Sequence, residues 1–498
     1  MRILLIDADT FREAPENRTA YYSHHPVGLL YLVSSALIHH PELEFRVFHT
    51  ATSTEPEKAL KELLESFRPA LTGLRSLSAA RETFAKMSAT IRAWNAGVPI
   101  VAGGPYPSAS FDEILKTRLA DLVVIGEGEV TFSELMTRMK QDTGLPHDLA
   151  GTAVLQEGEV RLNPPRPLIA DVDAIPFPDY SKIRLSDYHG ILNHSHGGAS
   201  SSAFLLCSRG CPYNCFFCHQ LFGKKIRKRS PASIVSEMRS HIEERGIHDF
   251  IILDDLFNVP MDGAKDLLRS ISRELPAVRL NFPNGLRSDH IDEEMIDLFE
   301  AAGTVQMSLA VESASPRIQK IIGKNMDVEK AAKAIHLATQ RFISRLYFIV
   351  GFPGETYDEA METIRYAESF RYAAQPMLSV LRVYQNSRIL DILKPDAEQM
   401  AAIERQENKL FHLEIFQQSD FYGDLFPPEK VPLKSADLKE LLMCWMRDVL
   451  IHPERIRRSH EVVSRHLTHE KILEFYRGIF NKPAFSDHDL QKLLNTPL

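Results

Sequence analysis

A chain of 498 residues, 44% hydrophobic and 25% charged, is long enough for two to four domains with separate cores. Its net charge of −8 lacks the basic excess that nucleic-acid binding shows, and no apolar stretch reaches the roughly 18 residues of a membrane span. Five cysteines, three of them within eight residues, fit a reducing cytoplasm better than a disulfide-forming compartment.

The opening Met1-Arg2-Ile3-Leu4-Leu5-Ile6-Asp7 reaches an acid too soon for a signal peptide and reads as a first β-strand. Residues 1–145 alternate apolar runs (3–6, 45–48, 70–74, 98–102, 122–125) with helical patterns (27–38, 58–67, 79–94). That alternation predicts a Rossmann-like, doubly wound parallel sheet with its ligand at the carboxyl edge. Gly103-Gly104, after the fourth strand, would let a ligand approach the backbone closely, although a tight turn explains them as well.

Residues 146–199, with Asn163-Pro164-Pro165-Arg166-Pro167 and Ile175-Pro176-Phe177-Pro178, read as an extended linker. His194 and His196 could share a metal but read as loop residues. The run Lys224-Lys225-Ile226-Arg227-Lys228-Arg229 reads as a solvated face, or as a guide for an anionic substrate.

Cys211, Cys215 and Cys218 form a C-x3-C-x2-C run. Three thiolates can hold three irons of a [4Fe-4S] cluster and leave the fourth open for a ligand. A zinc site completed by Cys207 or His219 is the rival reading, but zinc ribbons bring a second C-x2-C pair that this chain lacks. Cys207 and Cys444 read as small core residues.

Strand and helix alternate again over 200–395, with Ser230-Pro231 as a helix start. Six strands are expected, ending near the cysteine loop, Asp254-Asp255, Asn284-Gly285, Glu312-Ser313, Gly351-Phe352-Pro353-Gly354 and Val383. Acids at strand carboxyl ends point into a barrel mouth, so Asp254 and Asp255 are catalytic candidates. Residues 396–498 look mainly helical; Arg455, Arg457 and Arg458 read as a solvated basic face, and Tyr422 as a pocket candidate.

The cysteine run, with Phe217 before its last cysteine, resembles the radical SAM superfamily, as do the strand-end motifs in their order. Over residues 1–140 the ordered segments Pro26-x-Gly28-Leu29, Thr72–Ser78, Gly103-Gly104-Pro105 and Gly126-Glu127-Gly128-Glu129 resemble the cobalamin-binding domain that precedes many such enzymes. Two features differ: the Asp-x-His-x-x-Gly run is missing, and Tyr106 stands where histidine is frequent.

The resemblance implies a Rossmann-like cobalamin domain, a partial (β/α)6 TIM-type barrel and a helical C-terminal domain. Phe217, Glu312, Ser313, Gly351 and Pro353 would bind S-adenosylmethionine. Ser76, Ser78, Gly103, Gly104, Tyr106, Gly126 and Glu127 would bind cobalamin. The implied activity is methylation of an unactivated carbon or phosphorus centre through a 5′-deoxyadenosyl radical. The substrate would be a small molecule or natural-product intermediate, and a flavodoxin- or ferredoxin-type donor would supply electrons. Cyclisation, ring rearrangement or oxidation with the same cofactors is the alternative; a metal-stabilised scaffold without activity is a third reading.

Overall fold

The computed structural model describes residues 1–9, 23–141, 144–191, 193–195, 198–218, 221–383, 387–407, 421–480, 482 and 484–496. Contacts divide the chain into two compact units. One holds residues 1–193, 197–204 and 221–229, the other residues 194–196, 205–220 and 230–498.

In the first unit, β1 (Arg2–Ala8), β2 (Glu44–His49), β3 (Leu71–Ser76), β4 (Ile100–Gly103) and β5 (Leu122–Val124) form a parallel sheet in the order β2-β1-β3-β4-β5. Strand β1 is apolar almost throughout because helices cover both of its faces. Ile3 and Leu5 pack with Leu29 and Val33 of helix Val27–His39 and with Phe132 of helix Glu129–Gln141. Leu4 and Ile6 pack with Leu60 and Leu64 of helix Pro56–Phe67 and with Phe84 of helix Arg81–Trp94. The strand order reverses between β1 and β3, which makes their carboxyl ends the switch point where such sheets bind ligands.

One segment departs from the expected linker. β6 (Thr152–Gln156) and β7 (Glu159–Leu162) add an antiparallel hairpin beside β5. Glu157 and Gly158, at φ 53° and 86°, make the two-residue turn that suits a right-twisted hairpin. No proline stands between Pro146 and Pro164, so this stretch keeps all its N–H donors.

The second unit is built on β8 (Ser202–Leu205, where the chain passes from one unit to the other), β9 (Asp249–Ile252), β10 (Arg279–Leu286), β11 (Thr304–Glu312), β12 (Ile343–Val350) and β13 (Gln375–Val380). They lie in chain order from β8 at one edge to β13 at the other, and the pairs from β9 to β13 are parallel. The two edges do not pair, so the barrel is open, as the six-strand pattern predicts. Ser230 caps helix Pro231–Arg245 by accepting from the Ser233 N–H.

C-terminal helices pack on this unit: Val463, Phe475, Tyr476 and Phe485 share a core with Ile343 and Ala374. Helix Ser435–Cys444 runs into a π-helical turn, Trp445–Leu450. Arg455, expected in solvent, is instead 3% exposed, and its guanidinium donates to the carbonyls of Val449, Leu450, Ala373 and Ala374. The end of a helical segment leaves carbonyls without intrahelical partners, and a buried arginine satisfies them. Burial pulls its pKa down to about 10. Among the described residues no helix is long and apolar enough to cross a membrane.

Candidate active site

The cysteine loop leaves β8 through a fastened exit. Asp254, at the carboxyl end of β9, accepts from the Cys207 N–H at 2.7 Å and from the Ser208 hydroxyl at 2.5 Å. Both carboxylate oxygens are thereby engaged, and Asp254 is 3% exposed. Its neighbour Asp255 is exposed and lies close enough to raise the Cys218 pKa. Cys211 and Cys215 are half-buried, and Cys218 is exposed as a residue while the groups around its thiol shield the sulfur from solvent.

Beneath the loop lies the turn 322–325. The Phe216 N–H donates to the Ile322 carbonyl at 3.1 Å, and Gly323, at φ 70°, touches the loop backbone. A Cβ on Gly323 would stand 2.8 Å from the Asn214 carbonyl oxygen, so only glycine fits here. The Arg287 guanidinium stacks 3.8 Å from the Tyr213 ring centroid while donating to the carbonyls of Lys324 and Asn325 and to Asp289. Lys324 in turn donates to Glu312 at 2.9 Å and to the Ala310 carbonyl at 2.7 Å. Glu312 takes φ 70° where the β11–β12 register shifts; the bulge re-aims its side chain, and the ion pair holds the strained backbone.

The electrostatics of the thiols follow from this crowding. Burial raises the Cys215 pKa, against the opposing pull of Lys324. Lost solvation pushes Cys218 up to about 12, with Cys215 and Cys211 adding to the shift. Thiols this close resist becoming thiolates together, and cationic irons relieve that repulsion. Three thiols are the donor type that an iron–sulfur cluster takes.

At the carboxyl end of β12, Glu355 accepts from the N–H groups of Gly351 at 2.6 Å and Phe352 at 3.1 Å. Burial pushes its pKa up to about 8, and its Oε1 has no partner. The Phe352 ring meets Phe216 and Phe217 of the cysteine loop, with centroids 6.3 and 5.6 Å away. Phe217 is thereby brought against the loop that carries Gly351 and Pro353, while the open side of Gly351 is covered by the Phe421 ring. Tyr422 is 2% exposed and donates to the Gly351 carbonyl at 2.6 Å; burial raises its pKa well above the usual range. Ser313 is fully buried, bonded to Thr363 and the Ser315 N–H.

In the first unit, Ser76, Gly103, Gly104 and Gly126 stand at adjacent strand ends, with Ser78 just beyond β3. Gly104 takes φ 90°, and a Cβ there would stand 2.7 Å from Arg75 Cγ. Arg75 thus fills the space over Gly104, and Ser76 is fully buried with its hydroxyl on the Ala8 and Leu77 carbonyls, whereas nothing stands within 4 Å of a Cβ on Gly126, which leaves free space for the edge of a large flat group there. Tyr106 and Glu127 are committed elsewhere: Tyr106 packs edge-on against Phe84 in the core, and Glu127 pairs with Arg227. Arg227 and Arg229, read as part of a solvated run, are buried, because a carboxylate and a Phe177 ring receive them.

Sequence reasoning missed the polar cluster beside these strand ends. Asp7 binds Arg75 through two bonds of 2.8 Å, and His49 meets the Tyr188 hydroxyl at 3.1 Å. Burial lowers the His24 pKa to about 4. In the second unit Arg287 and Glu355 lie just past the strand-end motifs and were given no role, and Lys324 carried no signal. His196 and His219 lie outside the described residues.

Comparison with known proteins decides the family. The radical SAM superfamily model matches residues 205–367, and the B12 binding domain model matches residues 17–136. An uncharacterized methyltransferase of Pyrococcus horikoshii is 30% identical over 377 residues, which span 74% of this chain and 78% of that protein. The chain belongs to the B12-binding radical SAM enzymes. Within that family, the cytidylyl-2-hydroxyethylphosphonate methyltransferase of Streptomyces wedmorensis is 29% identical over 303 residues, and the match spans 54% of this radical SAM chain and 55% of that enzyme. The structure of the radical SAM methyltransferase TsrM from Kitasatospora setae, with cobalamin and a [4Fe-4S] cluster bound, has the same fold. Its TM-score is 0.63 at 20% identity, with 79% of this chain and 74% of that one covered.

Proposed function

We propose that this radical SAM enzyme is a cobalamin-dependent methyltransferase acting on an unactivated carbon or phosphorus centre of a small molecule. The observation that carries the reading is the braced loop of Cys211, Cys215 and Cys218, which offers three thiols to a four-iron cluster. When bound, the cluster and S-adenosylmethionine supply the 5′-deoxyadenosyl radical, and cobalamin supplies the methyl group.

The chain's own residues bind and orient. Phe217, Gly351 and Pro353 hold the adenine end of S-adenosylmethionine, and Glu312 and Ser313 its ribose and amino end. Ser76, Ser78, Gly103, Gly104 and Gly126 seat the corrin, while Tyr106 and Glu127 fix the loops that carry them. Asp255 is the acid placed to meet substrate beside the cysteines; Asp254 and Tyr422 hold the loops in position. A flavodoxin- or ferredoxin-type protein delivers electrons, and the thiol-held cluster suits the cytoplasm.

The test needs no substrate. Anaerobic protein loaded with cluster and cobalamin is given a reductant and methyl-labelled S-adenosylmethionine. Release of S-adenosylhomocysteine, with 5′-deoxyadenosine, supports methyl transfer. Deoxyadenosine alone, with the label retained on the methionine, assigns the chain to a non-methylating radical reaction such as cyclisation.

A further inference from the structure

One face of the second unit's sheet carries polar side chains at neighbouring register positions. Ser308 on β11 stands opposite Arg345 on β12, which stands opposite Gln375 on β13. Two residues earlier on β11, Gln306 stands opposite Asn281 on β10. Residues in register, and residues two apart on a strand, share a face, so these five line the same surface. The other face is apolar and meets the helices; Phe348, for example, packs on Tyr366 and Trp445.

Asn281, Gln306 and Ser308 are each at most 2% exposed, yet Asn281 Oδ1, Gln306 Nε2 and Ser308 Oγ have no hydrogen-bond partner. Each such buried atom costs about 1–3 kcal/mol. Two of the three can donate, Gln306 Nε2 and the Ser308 hydroxyl, and they lie two residues apart on one face of β11.

Arg345 supplies the charge. Its Nε donates to Gln375 Oε1 at 2.8 Å and its Nη1 to His194 Nδ1 at 3.0 Å, with the Tyr347 hydroxyl at 3.5 Å. None of these three partners is a carboxylate. No carboxylate pairs with Arg345 among the described residues, and its Nη2 makes no bond. Four other buried cations differ: Arg227, Arg287 and Lys324 each have a carboxylate, and Arg455 spends its donors on four backbone carbonyls. A buried charge left without a counter-charge is costly enough that a ligand is the simplest reason to keep it.

We infer that this face binds an oxyanion of the substrate, a carboxylate, phosphate or phosphonate, with Arg345 as counter-charge and Ser308 and Gln306 as donors. The inference rests on the proposed substrate class and narrows it. Arg345 is the third residue of β12, five before its carboxyl end, which a strand's rise makes about 17 Å. The oxyanion therefore belongs to a molecule reaching down along the sheet, not to S-adenosylmethionine held at the cysteine edge.

The experiment is anaerobic calorimetric titration of the cluster- and cobalamin-loaded protein with methylphosphonate, inorganic phosphate and acetate at constant ionic strength. Saturable binding of at least one probe is expected, and the preferred probe identifies a phosphorus or a carbon oxyanion. Arg345→Met weakens it roughly tenfold or more, as loss of a charge-assisted bond should, and Arg345→Lys less. Ser308→Ala, which removes one unpartnered hydroxyl and leaves the fold intact, weakens it measurably. S-adenosylmethionine binding in the same preparations stays unchanged, so failure here is separate from failure of the methyl-transfer test. Absence of saturable uptake of every probe by the wild type overturns the inference, as does unchanged affinity in Arg345→Met or, should that variant not fold, in Ser308→Ala.

Discussion

The Arg287 guanidinium lies 3.8 Å from the centre of the Tyr213 ring, so the cysteine loop is tied to the exit of β10 through a cation–π contact. The Tyr213 hydroxyl adds a bond of 3.1 Å to His290 Nε2. A partly desolvated contact of this kind is worth about 1–2 kcal/mol, or roughly tenfold in loop opening. Tyr213→Leu removes it and spares the buried Arg287–Asp289 pair. Iron loss from the loaded variant to a chelator should be roughly tenfold faster, with little change in Tm. Tyr213→Phe, which keeps the ring, should lie between the two, and equal rates in all three would remove the loop anchor from the account.

Glu355 makes the second unit sensitive to alkali. Its folded pKa of about 8 stands above the ordinary carboxyl value of 4.5, chiefly through burial. Between those two pH values the folded chain holds a proton that the unfolded chain releases. Stability from this group is complete below pH 4.5, falls as pH rises toward 8 and is flat beyond. Glu355→Gln abolishes the slope. Thermal melts of the loaded protein should show the variant gaining on the wild type from pH 5 to pH 8.

Legibility in the sequence followed contiguity. The cysteine run, the Gly351 loop and the glycines at the ends of β4 and β5 are short segments whose chemistry is local, and the structure gathers them at strand ends. Arg227 and Arg455 misled because a basic run says nothing about a glutamate 100 residues away or about carbonyls at the end of a π-turn. Lys324 and Arg345 were invisible for the same reason: their neighbours arrive from other strands. The β6–β7 hairpin was within reach, since Glu157-Gly158 between alternating residues is a turn signal that the later prolines obscured.

His24 gives the first unit the opposite sensitivity. Burial holds its pKa near 4, below the ordinary 6.5. Between those values the unfolded chain takes a proton that the folded chain refuses, so this contribution is complete above pH 6.5 and is lost as pH falls through 4. His24 sits edge-on to Phe204, with centroids 5.1 Å apart, and His24→Phe keeps an aromatic ring there. The variant should lose less stability than the wild type between pH 6.5 and 4, and parallel melting curves would contradict that.

The pair of Glu127 and Arg227 provides the sharpest test of how the cofactor rim is held. Both side chains are about 5% exposed or less, joined by bonds of 2.8 and 2.9 Å, and Glu127 also accepts from the Ile169 N–H at 2.8 Å. Glu127→Ala strands a buried guanidinium and should cost about 3–5 kcal/mol, as removal of one partner of a buried pair does. Glu127→Met with Arg227→Met removes both charges and fills similar volume, so it should recover most of that loss. If Glu127 acts by fixing its loop, the double variant regains cobalamin binding along with stability. If its carboxylate meets the cofactor itself, stability returns and binding does not. Denaturant unfolding and cobalamin titration on the same three proteins separate the two.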